Sequence, residues 1–111
     1  MHTFLSSQEI RIYRSEIHLL GTLLSTQRDL ARSAKIFKPL DFYDFRHQLI
    51  WAAVLTLHQR NEPVCVETVL AELIRQRLDD DAGGRQYLNW LTRKVVIQTD
   101  AQAEMDPSGA D

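Results

Sequence analysis

The residues best suited to metal binding are spaced in ways that argue against a shared site. His47 and His58 are eleven positions apart. On one helix this corresponds to about 16 Å at about 1.5 Å per residue, which is too far for one metal ion to bind both. Asp79, Asp80 and Asp81 are consecutive, whereas a calcium-binding loop spaces its acids at alternate positions and closes with a distant Glu. We therefore interpret the aspartates as a solvated loop and predict no metal site.

Nucleophilic and nucleotide chemistry is also unsupported by the sequence. Cys65 is the single cysteine and lies between Val64 and Val66, a setting that favours a small buried residue over a nucleophile. Glycine occurs only at positions 21, 83, 84 and 109. Neither a G-x-x-x-x-G-K-[ST] loop nor a G-x-G-x-x-G turn can be written with these positions. We therefore expect no enzymatic activity and no cofactor.

Composition indicates one globular domain rather than a protein built to neutralise nucleic acid. The 111 residues are 44% hydrophobic and carry a net charge of -2, whereas DNA-binding proteins usually have a basic excess. Direct nucleic-acid binding is expected to be weak or absent. A single cysteine and an N-terminus without an apolar leader favour the cytoplasm, with no membrane association. A DNA-binding alternative stays open, because six arginines could contact phosphates: Arg11, Arg14, Arg28, Arg32, Arg46 and Arg60.

The segment from Asp44 to Arg60 is predicted to form the central helix of the domain. Its middle, Leu49 to Leu55, consists of seven consecutive apolar residues, and at about 100° per residue these occupy every side of a helix. One arc is expected to face the core: Ile50, Ala53, Val54 and Leu57. The nearly opposite arc, with Trp51 and Leu55, must be covered by another helix or by another molecule.

The remaining segments predict shorter helices around this one. A capping box at Ser6 and Glu9 begins a first helix, with apolar residues at positions 10, 13, 17, 20 and 24. Further helices are predicted over about 29–37, 66–78 and 85–94, with Asp41 or Asp44 capping the central helix. The fold class is thus all-α, a compact bundle of about five or six short helices around a central buried helix. Residues 1–97 form the domain, and residues 98–111 are predicted to be a flexible polar tail.

The order of five short motifs resembles that of a known family. They are Glu16-x-x-Leu19-Leu20-Gly21-x-Leu23-Leu24, Asp41-Phe42-Tyr43, His47-x-x-Ile50-x-x-Ala53, Pro63-Val64-x-x-x-Thr68-Val69 and Gly83-Gly84-x-x-Tyr87-Leu88-x-x-Leu91. In this order they resemble the N-terminal domain of the bacterial replicative (DnaB-type) hexameric helicases, over about 70% of the chain. The resemblance implies an all-helical domain without an ATPase site. It also implies that the domain forms the collar of a ring through paired subunits and docks primase or loader proteins.

The sequence departs from the family pattern in several respects. The ATPase domain and the pairing hairpin that follow in the family are not recognisable after Leu91. Cys65 replaces an Asp that commonly precedes the fourth helix, and the segment from Ile10 to Arg14 replaces a Pro-containing start. We therefore expect any pairing of subunits to use another surface.

These observations predict a non-catalytic protein-interaction module of DNA replication. Its expected partners are itself, as a dimer or higher oligomer, and a replicative helicase, primase or helicase loader. The predicted contact residues are Ile12, Leu19, Leu23, Trp51, Leu55 and Trp90, although each is also compatible with burial inside the domain. The alternatives are a small helical DNA-binding protein, a free-standing helicase-binding modulator from a mobile element, and an unrelated self-associating bundle.

Overall fold

The computed structural model describes residues 7–104, and the side chains of residues 8–94. Within that range the regular secondary structure is entirely helical. The α-helices are α1 (Ser7–Thr26), α2 (Leu30–Ile36), α3 (Phe45–Gln59), α4 (Val66–Arg75) and α5 (Gly84–Glu104), and a short 3-10 helix covers Pro39–Asp41. The all-α prediction is confirmed, and these five helices fall within the expected number.

Helix α3 is the central element of the fold. Asp44 caps its first turn, because the side chain accepts the Arg46 N–H at 2.8 Å. Both predicted arcs of the helix are covered by the chain itself. The indole N–H of Trp51 donates to the Phe37 carbonyl oxygen at 3.0 Å, and Phe42 packs against the indole ring. The segment between α2 and α3 therefore covers Trp51 on the arc that lies opposite the main core.

The other helices bury one face each against α3 and against one another. Helix α1 packs along α5 and also contacts α3, while α4 packs on α3 and α5. Val69, Leu70 and Leu73 of α4 are buried as predicted, but Ile74 is 52% exposed. Leu78 packs against the core at this end of α4, because the turn after the helix brings it back over Leu73.

Helices α3 and α4 end with the same backbone turn. The Glu62 N–H donates to the Leu57 carbonyl at 2.9 Å, and the Leu78 N–H donates to the Leu73 carbonyl at 2.8 Å. Each turn requires a left-handed residue before the donor, and these residues are Asn61 (φ 59°) and Arg77 (φ 61°). Helix α4 therefore ends at Arg75, three residues before the predicted position 78.

The last helix extends beyond its predicted end. Helix α5 continues to Glu104 rather than ending near Lys94, so residues 98–104, which we expected to begin a flexible tail, have helical backbone. Residues 105–111 and the Ser6 position of the predicted capping box lie outside the described range. The flexibility of residues 98–111 stays a prediction. None of the helices in the described range combines the length and apolarity that crossing a bilayer requires.

A buried carboxylate fastens the end of α4 to the end of α3. Glu72 is 3% exposed and accepts hydrogen bonds from Arg75 at 2.6 Å and from Arg60 at 3.0 Å. Gln76 donates to the same carboxylate. These donors, with Arg75 first among them, lower the pKa of Glu72 from 4.5 to about 2. The ionised form is therefore the one that the folded state stabilises.

We expect Glu72→Gln to destabilise the domain at pH 7 and to reduce its sensitivity to acid. Because the folded pKa lies below the ordinary value, the stabilisation is complete above about pH 4.5 and is lost as the pH falls toward 2. The difference in melting temperature between wild type and variant should therefore shrink over that interval. The control is Glu67→Gln, since the Glu67 side chain is 67% exposed where it pairs with Arg85, and exposed pairs contribute little. A difference between wild type and the Glu72→Gln variant that does not vary with pH would contradict this account.

Replacing the left-handed arginine after α4 should stabilise the domain. In this conformation a Cβ atom costs about 1–2 kcal/mol, and part of the gain from removing it is offset by the greater freedom of glycine in the unfolded chain. We therefore expect Arg77→Gly to raise the free energy of unfolding by about 0.5–1 kcal/mol, measured by urea denaturation. Arg77→Ala is the matched control, because it removes the same side chain and keeps Cβ. An equal gain in both variants would show that the guanidinium, and not the backbone conformation, is unfavourable.

Candidate protein-interaction site

A buried histidine joins three elements of the fold. His47 of α3 is fully buried. Its Nδ1 lies 2.7 Å from Glu16 Oε1 of α1, and its Nε2 lies 2.6 Å from the Tyr87 hydroxyl of α5. With a neutral ring, Nδ1–H donates to the carboxylate and Nε2 accepts the Tyr87 proton, so both nitrogens have partners. We call Glu16, His47 and Tyr87 the His47 cluster.

The same glutamate fixes the start of α3. Glu16 Oε2 accepts the Tyr43 N–H at 2.5 Å, and Oε1 accepts the Asp44 N–H at 3.3 Å. These amides come just before the first turn of α3, where N–H groups lack intrahelical partners. The Glu16 carboxylate of α1 therefore accepts hydrogen bonds from two backbone N–H groups just before α3 and also bonds the buried imidazole of His47.

The loop before α5 must allow Tyr87 to reach this cluster. Gly83 has a φ of +100°, and a Cβ atom placed on it would lie 2.6 Å from the Tyr87 Cβ. Only glycine fits both the backbone conformation and the space. Three of the five motifs thus supply the His47 cluster, and a fourth binds it through the Tyr43 N–H, which donates to Glu16. The remaining motif closes the start of α4, where the Thr68 hydroxyl accepts the Cys65 N–H at 3.0 Å.

An open groove of about 730 Å³, which we call the α5 groove, lies beside Tyr87. Arg46 crosses the Tyr87 ring with its guanidinium carbon 3.9 Å from the ring centroid, and Arg46 Nη2 binds Asp44 Oδ2 at 2.9 Å. This hydrogen bond raises the pKa of Arg46. Trp90 stacks against Tyr87 with a centroid distance of 5.5 Å. The rest of the lining comprises Tyr13, Gly83, Gln86, Asn89 and Arg93.

A second, smaller and mostly apolar groove of about 300 Å³ lies along α1, and we call it the α1 groove. Ile12 and Leu19 line it together with Phe37 and Phe42. Glu16 also lines this groove, whereas Tyr87 lines the α5 groove. The His47 cluster therefore runs through the domain from one groove to the other.

The predicted contact residues separate into a surface group and a buried group. Ile12 and Leu19 line the α1 groove, and Trp90 lines the α5 groove. Leu55 is partly buried against the core. These four stay predictions as contact residues.

Leu23 and Trp51 are fully buried and present no surface to a partner in this structure. Trp51 is covered by Phe37 and Phe42 of the segment between α2 and α3, and Leu23 belongs to the hydrophobic core. Truncation of such a tryptophan typically costs about 3–5 kcal/mol, so Trp51→Ala would report on folding rather than on an interface.

Arg46 and Tyr87 are groove residues that our sequence-based list of contacts omitted. Tyr87 occurs in the last of the five motifs, and Arg46 directly precedes His47, so their positions carried a signal. Their residue types carried no signal. An arginine and a tyrosine that lie on different helices, far apart in the chain, form no periodic pattern. Only the packing of the domain brings the guanidinium onto the ring.

Removal of the Tyr87 hydroxyl should destabilise the domain more than removal of the exposed hydroxyl of Tyr43. Tyr87→Phe leaves the buried Nε2 of His47 without a partner, which costs about 1–3 kcal/mol. Tyr43→Phe is the matched control, because Tyr43 is 52% exposed and its hydroxyl binds Glu9 at the surface. We expect the control to change the free energy of unfolding by less than about 0.5 kcal/mol. Equal losses in urea denaturation would contradict the importance of the His47 cluster.

Comparisons with known proteins agree with this fold. The family model described as "DnaB-like helicase N terminal domain" matches residues 8–105. The replicative DNA helicase DnaC of Bacillus subtilis (strain 168) is 35% identical over 81 residues, covering 73% of this chain and 18% of that protein. The replicative DNA helicase DnaB of Rhodothermus marinus is 38% identical over 78 residues, covering 70% of this chain and 8% of that protein.

A solved structure supports the same assignment. The crystal structure of the N-terminal domain of DnaB helicase from Mycobacterium tuberculosis superposes with a TM-score of 0.68 at 38% identity, covering 72% of this chain and 57% of that one. The matched segment is less than a fifth of the length of the two helicases above. It corresponds to their N-terminal domain alone, and the resemblance expected from the motifs is confirmed. The chain belongs to the family of DnaB-like helicase N-terminal domains.

Proposed function

We propose that this chain is a non-catalytic protein-interaction module of DNA replication. In this proposal it takes part in assembling a replicative helicase ring and docks a primase or a helicase loader. The observation that carries the proposal is the pair of open grooves on a domain of this family. The cytoplasm stays the expected location.

The composition of the grooves supports protein binding. Tryptophan, tyrosine and arginine are the residue types that most often dominate binding energy at protein interfaces, and all three line the α5 groove. The α1 groove adds apolar side chains, with Ile12 37% exposed. Burial of such residues against a partner is favourable at about 25 cal/mol per Å² of apolar area.

The polar groups in the interior support a structural role rather than catalysis. Glu16, His47 and Glu72 are buried titratable residues, and each is bonded to fixed partners of the same chain. A catalytic acid or base must instead reach a reacting group in a cleft.

The distribution of arginines does not favour the DNA-binding alternative. The six arginines named for that alternative are spread over α1, α2, α3 and the turns next to them, and the chain as a whole carries a net charge of -2. Arg60 is in addition paired with Glu62 and Glu72. We therefore rank protein binding above nucleic-acid binding.

Size-exclusion chromatography with light scattering tests the proposal directly. The purified chain is run alone, and then with a replicative helicase and with its primase. We expect self-association or a complex with one of these proteins. A monomer that elutes apart from both would contradict the proposed function.

The substitution Trp90→Ala should weaken the affinity of the complex found in that experiment. A tryptophan at an interface hot spot is worth at least about 2 kcal/mol, which corresponds to about a thirtyfold loss of affinity. Ile12→Ser tests the α1 groove in the same way. The matched control is Leu40→Ala, because Leu40 is 84% exposed and lines neither groove. If both groove variants melt like wild type and bind with unchanged affinity, the assignment of the interface to these grooves is wrong.

A further inference from the structure

The lining of the α5 groove differs in charge from the chain as a whole. The chain carries a net charge of -2, yet among the residues whose side chains the structure describes, the lining of this groove includes Arg46 and Arg93 and no carboxylate. Asp44, the acid bonded to Arg46, is not among the lining residues. An acidic ligand would therefore meet cations in this groove without facing a like charge on the described part of its walls.

Part of this cationic surface has no hydrogen-bond partner among the residues whose side chains the structure describes. Arg46 uses Nε and Nη2 for Asp44 and Tyr13. Its Nη1 makes no hydrogen bond to any described residue, and neither does the exposed guanidinium of Arg93. Both groups can donate to an incoming carboxylate, and hydrogen bonds between charged groups are among the stronger ones.

The groove is also held in shape before a ligand arrives. Arg46 is fixed from two sides, by Asp44 and by the Tyr87 ring at 3.9 Å. Tyr87 is in turn fixed by His47. A side chain that is already immobilised loses less conformational entropy on binding, so the groove presents a preorganised donor.

The chemistry of the lining favours a peptide over a nucleic acid. Gln86 and Asn89 each offer an amide donor and an amide acceptor, which match the alternating groups of a peptide backbone. Tyr87 already contacts His47, Arg46 and Trp90, and Trp90 contacts Lys94 as well. Nucleic-acid recognition by stacking requires aromatic faces that are free for bases.

We infer that the α5 groove binds an acidic segment of a partner protein, with a carboxylate received between Arg46 and Arg93 and an apolar residue against the part of the Trp90 side chain that stays exposed. The inference rests on the proposed function, because it specifies the kind of segment that the docking module takes. It assigns the groove a preference for acidic segments that also carry an apolar residue. Neither the fold nor the family match predicts this preference.

Fluorescence anisotropy on the full 111-residue chain tests the inference. The probe is a labelled synthetic peptide of about a dozen residues in which aspartate and glutamate alternate with leucine. A second peptide has asparagine and glutamine in place of the acids. We expect binding of the acidic peptide that weakens as salt is added, and little binding of the neutral one. Equal binding of the two peptides, or none of either, would overturn the inference.

Charge reversal localises the binding. Arg93→Glu should weaken the affinity for the acidic peptide about tenfold, as expected for a close charge pair. Arg32→Glu makes the same change at an exposed position outside the groove and should alter the affinity by less than about twofold. An equal loss in both variants would indicate attraction to overall charge and contradict a site at the groove. Tighter binding of an oligodeoxythymidine of similar length would also contradict it.

The outcomes separate the inference from the proposed function. A complex with helicase or primase that forms without any affinity for the acidic peptide removes the inference alone. Peptide binding that depends on Arg93, without any replication complex or self-association, removes the proposed function and leaves the groove as an acidic-segment site.

Discussion

The imidazole of His47 sits in the interior of the domain, and the structure can bury it only by satisfying both ring nitrogens. Glu16 and Tyr87 supply the two partners from α1 and α5. An unsatisfied buried polar group costs about as much as a typical destabilising mutation. Three helices must therefore meet in one register. The surrounding apolar core gives the domain most of its stability, whereas this cluster is satisfied only in an arrangement that brings the three helices together.

The grooves follow from the same constraint. Tyr87 reaches His47 only because Gly83 leaves room for it, and in that position its ring supports Arg46 on one groove wall. At the other end of the cluster, Glu16 contributes to the α1 groove. Surface features that we propose for binding are thus fixed by buried hydrogen bonds. A change in the interior cluster is expected to reach both grooves, because interiors are close-packed and transmit displacement.

Membership of the DnaB-like N-terminal domain family and the proposed role have different foundations. The family is established by the match over residues 8–105 and by the superposed crystal structure. The role in docking is argued from the aromatic and cationic lining of the α5 groove and from the apolar lining of the α1 groove. Because the matched segment is a small part of the known helicases, activity of those whole proteins does not transfer to this chain.

Local sequence determined the helices, since periodic apolar residues, the Asp44 cap and the break at Pro39 act over a few positions. The ends of the helices were harder to predict from the sequence. The left-handed turn at Arg77 has no glycine to signal it, and the polar or small residues from Gln98 onward resemble a tail although the backbone stays helical to Glu104. The two arcs of α3 were readable as apolar, but not which neighbour covers Trp51. The contacts that cover Trp51, and those among Glu16, His47 and Tyr87, join residues that are far apart in the chain. Only the tertiary structure decides them, because the free energy of such contacts depends on burial and geometry that no local pattern contains.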